Sequence, residues 1–271
     1  MKIVFHPMFL EHKMPGHPEN PNRFSLLDLS RYEKPEPRLD LIEKTHSREY
    51  IEKVKSMKTG WLDPDTYVCE KTWEASLLAV GAAWKAYEIR GFALVRPPGH
   101  HATRNRGMGF CIFNNIASVA LELARQGKKI AILDLDAHHG NGTQDLVIGN
   151  RNIIYFSTHQ SPGYPGTGLE SKENCFNFPI PPGSGDDEFF KAWDKFEPVL
   201  RRFDPDVIGL SLGFDSYEKD YGWLTFLRFS LKPFETVLSL GENYHVFGVL
   251  EGGYNPESIK DGLDLIRSVG P

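Results

Sequence analysis

The sequence predicts an α/β protein: a single-domain, three-layer α/β/α structure with a mostly parallel central sheet. Short apolar runs rich in β-branched residues alternate with longer stretches of helical periodicity, which is the pattern of βαβ units. The runs predicted as strands are 2–5, 92–96, 129–133, 153–157, 207–211 and 246–250. The stretches predicted as helices are 72–89, 114–126, 188–202, 232–242 and 256–267. No break in composition divides the chain, so residues 1–271 are expected to form one domain.

The composition argues against several classes of protein. The 271 residues are 40% hydrophobic, which is enough for a packed core, and the formal net charge of −5 argues against direct nucleic-acid binding. The three cysteines form no Cys-x-x-Cys pair, which argues against a disulfide framework or a thiolate zinc site and favours a reducing compartment. We find no signal-peptide pattern and no apolar run near the ~20 residues of a membrane span, so a cytoplasmic protein is expected.

Five polar clusters each follow a predicted strand. They begin at Arg96, Asp134, Ser157, Gly213 and Glu251. In an open parallel α/β sheet, ligands bind beyond the carboxyl ends of the strands. We therefore expect these five segments, which are far apart in the sequence, to meet at one site.

One cluster has the spacing of metal ligands. Asp134, Asp136 and His138 alternate, and alternating side chains of an extended segment face the same side. Taken alone, such a pattern is more often a helix cap with a hydrogen-bonded core histidine, but Asp215 adds a carboxylate at another strand end and favours a metal site. Two carboxylates and one imidazole suit Zn²⁺, Fe²⁺ or Mn²⁺, and three protein ligands leave a position for water. The site would then be catalytic, because such a cation polarises carbonyls and activates water.

Other residues suit proton transfer near this cation. His100 and His101 follow a stiff Pro-Pro-Gly segment and supply two imidazoles, although one of them could be purely structural. Tyr254 follows two glycines and could donate its hydroxyl to a developing oxyanion, whereas a Gly-Gly-Tyr alone more often marks a turn.

Two segments rich in Gly and Pro, 161–168 and 179–185, are expected to be irregular loops that shape a pocket. Phe110 and Tyr164 belong to residue types that are more often found in a core than in a channel. Their Gly- and Pro-rich neighbours favour a pocket wall instead.

Taken together, these motifs resemble the histone deacetylase family, within the arginase/deacetylase fold. The matching segments are GHPE at 16–19, RPPGHHA at 96–102, GFCIFNN at 109–115, DLDAHHGNGTQ at 134–144, PGTG at 165–168, GFD at 213–215 and EGGY at 251–254. They follow the family's order and span nearly the whole chain. The resemblance implies a zinc ion with three protein ligands, namely Asp136, His138 and Asp215.

The resemblance also implies roles for the residues around the zinc. His100 and His101 would be the paired proton-transfer residues, and Tyr254 would polarise the carbonyl. Asp134 would hydrogen-bond His100 and, with Ser157, help to hold a structural potassium ion. Gly109, Phe110 and Tyr164 match positions that line the family's acyl-lysine channel. Arg23 resembles the arginine of the acetate-exit tunnel.

Some positions depart from parts of the family. Asn141 stands where class I members have an aspartate paired with the second histidine, so His101 has weaker support for a positive charge. Gly140 and Tyr217 occupy positions where two-manganese relatives of the same fold have carboxylates, which argues against a ureohydrolase. Asp65 is a candidate for an acidic clamp at the substrate rim.

The leading hypothesis is a zinc-dependent amidohydrolase, with Fe²⁺ as an alternative metal, that removes acetyl groups from lysine-like amines and releases acetate. A second hypothesis keeps this chemistry but changes the substrate from an acetylated lysine peptide or protein to an acetylpolyamine or another small amide. A third hypothesis, from another class, is a non-catalytic module that binds acyl-amines. The sequence leaves the oligomeric state open.

Overall fold

The computed structural model describes residues 1–269. Its strands are β1 (Ile3–Val4), β2 (Gly60–Asp63), β3 (Thr66–Val68), β4 (Phe92–Ala93), β5 (Ile130–Asp134), β6 (Ile153–Gln160), β7 (Cys175–Ile180), β8 (Val207–Leu212) and β9 (His245–Leu250). Its α-helices are α1 (Leu39–Thr45), α2 (Arg48–Ser56), α3 (Thr72–Ile89), α4 (Asn115–Arg125), α5 (Asn141–Val147), α6 (Asp186–Phe203), α7 (Lys232–Leu238) and α8 (Pro256–Ser268).

The central sheet has seven strands in the order β1-β4-β9-β8-β5-β6-β7, and each neighbouring pair is parallel. The remaining strands, β2 and β3, form a small antiparallel hairpin. This architecture confirms the predicted α/β class with one mostly parallel sheet. The structure places every predicted strand, although β1 and β4 are only two residues long.

Helices cover both faces of this sheet. The crossovers through α3, α4 and α5 run along the sheet toward β7, whereas those through α6 and α7 run back from it. Because such crossovers are right-handed, the two sets lie on opposite faces. Consistent with this arrangement, every residue of β5 and β8 is buried, as expected for strands covered on both sides. No helix formed by residues 1–269 has the length and apolarity needed to cross a membrane.

The structure corrects the prediction for segment 179–185. Pro179 and Ile180 are not in a loop but at the end of β7, paired with β6. Strand β7 lies at the edge of the sheet, where a proline without an N–H group is tolerated. The other segment, 161–168, is irregular as predicted. Helices α1, α2 and α5 and the hairpin were not predicted, and the stretch 232–242 divides into α7 and a 3₁₀ turn, Ser239–Glu242.

The five polar clusters converge as predicted, because they follow neighbouring strands β4, β9, β8, β5 and β6. Between β5 and β8 the direction of the crossovers reverses, which creates the crevice where α/β sheets bind ligands. Asp136 follows β5 and Asp215 follows β8, so the crevice lies between these two carboxylates.

Candidate active site

The structure brings together the three side chains predicted to bind a metal. One potential ligand atom from each of Asp136, His138 and Asp215 lies within 4.8 Å of the others. Nδ1 of His138 lies 3.0 Å from Oδ1 of Asp136 and 2.9 Å from Oδ2 of Asp215. Both carboxylates are buried, and the imidazole is partly exposed.

The backbone geometry behind this cluster differs from the prediction. Strand β5 ends at Asp134, and residues 136–138 form a bend rather than an extended segment with alternating faces. In the bend, the His138 N–H donates to Oδ1 of Asp136 at 2.8 Å, which aligns the two side chains. Asp134 is not part of the cluster and instead faces His100.

Two glycines allow the strand ends to approach this cluster closely. A Cβ at Gly213 would lie 1.9 Å from Oδ2 of Asp136, so a larger residue would force β8 away. The Gly252 N–H donates to the same oxygen at 2.8 Å and joins the end of β9 to the cluster. These contacts explain why glycines, whose absence of a side chain permits close approach, stand at both positions.

The cluster fits a divalent cation. Among the described residues, Oδ2 of Asp215 is buried without a hydrogen-bond partner, because the nearby His138 nitrogen already bonds to Asp136. Burial, together with the charge of Asp136, raises the pKa of Asp215. A cation held by all three side chains would balance the charge of the two buried carboxylates and occupy the free lone pairs of Asp215.

Next to this cluster, His100 and His101 pack with their ring centroids 4.0 Å apart, but their partners differ. Nδ1 of His100 lies 3.1 Å from Oδ2 of Asp134, whereas Nδ1 of His101 lies 2.8 Å from Oδ1 of Asn141. Burial disfavours a charged His100, but the charges of Asp136 and Asp134 outweigh it and raise its pKa to about 10. Burial and the charge of His100 hold the pKa of His101 well below its usual range.

Tyr254 lies in the loop after β9 and is almost completely buried. Its N–H donates to Oδ2 of Asp220 at 2.8 Å, and the Asn255 N–H donates to the same oxygen. Burial and the charge of Asp215 raise the pKa of the Tyr254 hydroxyl well above its ordinary value. The hydroxyl therefore remains protonated and available as a donor.

A pocket of about 180 Å³ opens above these groups. Its lining residues are Asp65, His101, Gly109, Phe110, His138, Tyr164, Leu224 and Tyr254. Phe110 and Tyr164 thus form pocket walls, and Tyr164 is 39% exposed. Gly109 has a φ of +53°, and a Cβ there would lie 2.5 Å from the His101 ring, so the wall requires glycine.

Arg23 and Ser157 are not among the residues that line this pocket. The Arg23 side chain is buried and donates to the carbonyl oxygens of Gly253 and Glu251, and its guanidinium lies 5.1 Å from the centre of the Tyr254 ring. Ser157 pairs with Asp134 in the register of β5 and β6. Its hydroxyl lies 2.9 Å from Nδ1 of His159.

The sequence pattern assigned no role to Glu251, yet its carboxylate supports the histidine pair. It is fully buried, and its Oε2 accepts hydrogen bonds from the N–H groups of Gly99 at 2.7 Å and His100 at 3.1 Å. Its Oε1 accepts a hydrogen bond from the Ser211 hydroxyl at 3.1 Å. A carboxylate directly after the apolar strand β9 was the one signal that could have pointed to it.

We expect Glu251→Gln to lower kcat/KM for an acylated amine about tenfold or more, in the range typical of residues that orient metal-site groups. The amide keeps one oxygen that can accept a hydrogen bond. Its NH₂ group replaces the second carboxylate oxygen and cannot accept the hydrogen bonds that this oxygen receives. The control Ser211→Ala removes only the bond at Oε1 and should have a smaller effect. Acetate release at wild-type rates from Glu251→Gln would contradict this role.

Comparisons with known proteins agree with this geometry. A family described as "Histone deacetylase domain" matches residues 17–268. A probable deacetylase of Archaeoglobus fulgidus is 34% identical, over 94% of this chain and 81% of that protein. The HD domain of HDA15 has a TM-score of 0.87 at 30% identity, covering 99% of this chain and 90% of that one. An acetylpolyamine aminohydrolase of Burkholderia pseudomallei has a TM-score of 0.89 at 26% identity, covering 99% of this chain and 98% of that one.

Together, the fold and the family place this protein among the hydrolases with the arginase/deacetylase fold. Within that class, the chain belongs to the histone deacetylase family.

Proposed function

We propose that this protein is a zinc-dependent deacetylase that hydrolyses the N-acyl amide of a lysine-like amine and releases acetate. The main support is that His101, His138 and Tyr254, which differ in chemistry, line one small pocket beside the carboxylates of Asp136 and Asp215. Membership of a deacetylase family supports both the reaction and the metal. Fe²⁺ suits the same donors and is the alternative metal.

Asp136, His138 and Asp215 are the proposed ligands. When bound, the cation would supply Lewis-acid chemistry that polarises the acyl carbonyl and activates water. The protein holds the ligands in place through the N–H groups of His138, Gly252 and Ala137, which donate to the two carboxylates at 2.8–3.0 Å.

The histidines are proposed to have unequal roles. His101 lines the pocket, and its Nδ1 donates to Asn141, which leaves Nε2 free to accept a proton from the attacking water. The same nitrogen then returns that proton to the leaving amine. His100 is absent from the pocket lining and faces Asp134, so it is proposed to keep its proton and stabilise negative charge.

The remaining pocket residues are proposed to bind the substrate and release the product. The Tyr254 hydroxyl donates to the acyl oxygen as negative charge develops there. Gly109, Phe110 and Tyr164 form the proposed channel for the alkyl chain, and Asp65 at the pocket edge faces the part of the substrate outside it. Arg23, behind Tyr254, is proposed to border the acetate exit.

We also propose a structural potassium ion held by Asp134 and Ser157, and a cytoplasmic location. The potassium proposal is supported by the pairing of these residues across β5 and β6 and by their hard oxygen donors. Such an ion would lie beside Asp134 and would help to hold the carboxylate that faces His100.

Two other functions remain as alternatives. The similarity to an acetylpolyamine aminohydrolase supports a small acetylated amine as substrate. A pocket without catalysis would make the protein a binding module, but Tyr254 and both histidines are in place, which favours an enzyme.

A panel of acylated amines tests the proposal. We expect the protein reconstituted with Zn²⁺ or with Fe²⁺ to release acetate from acetyl-lysine peptides, and the comparison with acetylputrescine identifies the preferred class. Acetate is measured directly, and metal-free protein is the control. Tight binding of these compounds by metal-loaded protein without any release of acetate would instead identify a binding module.

A further inference from the structure

A second, larger cavity lies beside the proposed active-site pocket. It has a volume of about 840 Å³ and shares two walls, Leu224 and Tyr254, with the smaller pocket. Its other lining residues are Leu10, Glu11, Lys13, Met14, Pro15, Gly16, His17, Pro18, Asn20, Pro21, Asn22, Arg23, Trp223 and Pro256. We call this cavity the side groove. Leu224, which is 40% exposed, therefore borders both the pocket and the side groove.

One wall of the side groove is an exposed apolar ridge. Trp223 is 56% exposed and Leu224 is 40% exposed, and Met14, Pro15 and Pro18 also line the groove. Large exposed apolar side chains that cluster in a concave surface are typical of a binding site. Through Leu224, this apolar surface adjoins the proposed channel for the alkyl chain.

Hydrogen bonds fix the turn that carries Trp223 and Leu224. The Thr225 hydroxyl donates to the carbonyl oxygen of Asp215 at 2.7 Å, and the Phe226 N–H donates to the side chain of Gln160 at 2.7 Å. The Gly222 N–H donates to the carbonyl oxygen of Thr225 at 2.8 Å and closes the turn. Trp223 and Leu224 thus stand on a turn that is attached to the backbone of a proposed metal ligand.

The charges in the side groove do not suit a polycation. Glu11 pairs with Lys13 at 2.9 Å, and the Arg23 guanidinium is already bound to Glu19. Asp65 is the one carboxylate among the described residues that line the smaller pocket. The free ammonium groups of an acetylated polyamine would meet little negative charge here, whereas a neutral apolar chain would meet no unfavourable charge.

We propose that the side groove binds the polypeptide next to an acylated lysine and that Trp223 and Leu224 contact an apolar side chain of that segment. The proposal rests on the proposed deacetylase function and adds a sequence preference to it. The substrate is then an acylated protein or peptide with an apolar residue near the lysine, rather than a free acetylated polyamine.

Three substrates test this proposal: an acetyl-lysine peptide with leucine on both sides of the lysine, the same peptide with serine instead of leucine, and acetylputrescine as a small cation without a peptide backbone. In the wild type we expect the highest kcat/KM for the leucine peptide. Trp223→Ala should reduce the leucine-to-serine ratio of kcat/KM about tenfold, the effect expected when most of one aliphatic side chain loses its burial.

Trp61→Ala is the matched control. Trp61 is also an exposed tryptophan, at 51%, but it lies on β2 and does not line the side groove. We expect it to leave the leucine-to-serine ratio unchanged.

The outcomes separate the two proposals. Equal rates with leucine and serine peptides, faster turnover of acetylputrescine, or an unchanged ratio in Trp223→Ala would overturn the role of the side groove while leaving the deacetylase in place. No acetate from any of the three substrates in metal-replete wild type would overturn the deacetylase itself.

Discussion

Asp136→Ala is expected to lose both metal binding and acetate release, with kcat/KM reduced more than about a hundredfold. Replacing groups that only orient a ligand already costs about 10–100-fold, and Asp136 is a proposed ligand. The substitution removes one of two carboxylates from the cluster with His138 and Asp215. The measurements are bound zinc per chain after dialysis and acetate release with excess zinc.

The same carboxylate also joins two strand ends, so the variant needs a structural comparison. Oδ2 of Asp136 accepts the N–H of Gly252, two residues before Tyr254, and its loss frees that loop. Asp136→Asn keeps the size of the side chain and one oxygen, and it should fold more nearly like the wild type while still binding zinc poorly. If both variants lose zinc, the cause is the missing carboxylate charge rather than a displaced loop.

Asp194→Ala is the control for this experiment, because Asp194 is an exposed aspartate on α6. It should bind zinc and release acetate as the wild type does. One zinc ion per chain together with wild-type turnover in Asp136→Ala would refute the proposed ligand set.

Much of the sheet could be predicted from the sequence, because its inner strands are buried on both faces. Strands β5 and β8 are continuous apolar runs that end in a polar cluster, which indicates both the strand and its carboxyl end. Strand β7 was missed because Asn177 and Pro179 interrupt its apolar pattern. Only its position at the sheet edge makes that composition acceptable.

Short helices gave weaker signals. Helix α5 begins Asn-Gly-Thr, a composition that favours a turn, and it is only seven residues long. Its position is fixed from outside, since the Thr143 N–H donates to the carbonyl oxygen of His100 and a Cβ at Gly142 would meet the backbone of Ala102 at 2.4 Å. Tertiary contacts of this kind cannot be read from local composition.

The position of the candidate site could be predicted from the strand ends. The groups that support its side chains could not be predicted from the sequence. Asp136 and Asp215 both follow apolar strands, so a shared crevice could be predicted without knowing the strand order. Glu251 and Asp220 act through hydrogen bonds to backbone N–H groups of remote segments, namely Gly99 and Tyr254. Because a backbone N–H carries no sequence signal, such pairings become visible only in the folded chain.

Glu19→Gln is expected to lower the free energy of unfolding by about 3–5 kcal/mol, the usual effect of breaking a buried ion pair. Glu19 is fully buried between Arg96 and Arg23. Nη2 of Arg96 donates to its Oε2 at 2.7 Å, and Nη1 of Arg23 donates to its Oε1 at 3.1 Å. The variant leaves two buried guanidinium groups without their shared counter-charge, and urea unfolding with the same metal content measures the loss.

The exposed pair of Glu11 and Lys13 gives the matched control. Because surface ion pairs contribute about 0–1 kcal/mol, Glu11→Gln should unfold at nearly the wild-type urea concentration. If Glu19→Gln also unfolded within about 1 kcal/mol of the wild type, the buried cluster would not be a major source of stability.

Acid provides an independent check on Glu19. Burial disfavours its charge, but the charges of Arg96, His12 and Arg23 outweigh burial and lower its pKa from 4.5 to about 2. A carboxyl group whose pKa is lower in the folded state stabilises the protein fully above pH 4.5, and this contribution is lost as the pH falls through about 2. The difference in stability between wild type and Glu19→Gln should therefore be constant near neutral pH and decrease between these two values. A difference that stays constant down to pH 2 would show that the loss comes from packing rather than from the charge of Glu19.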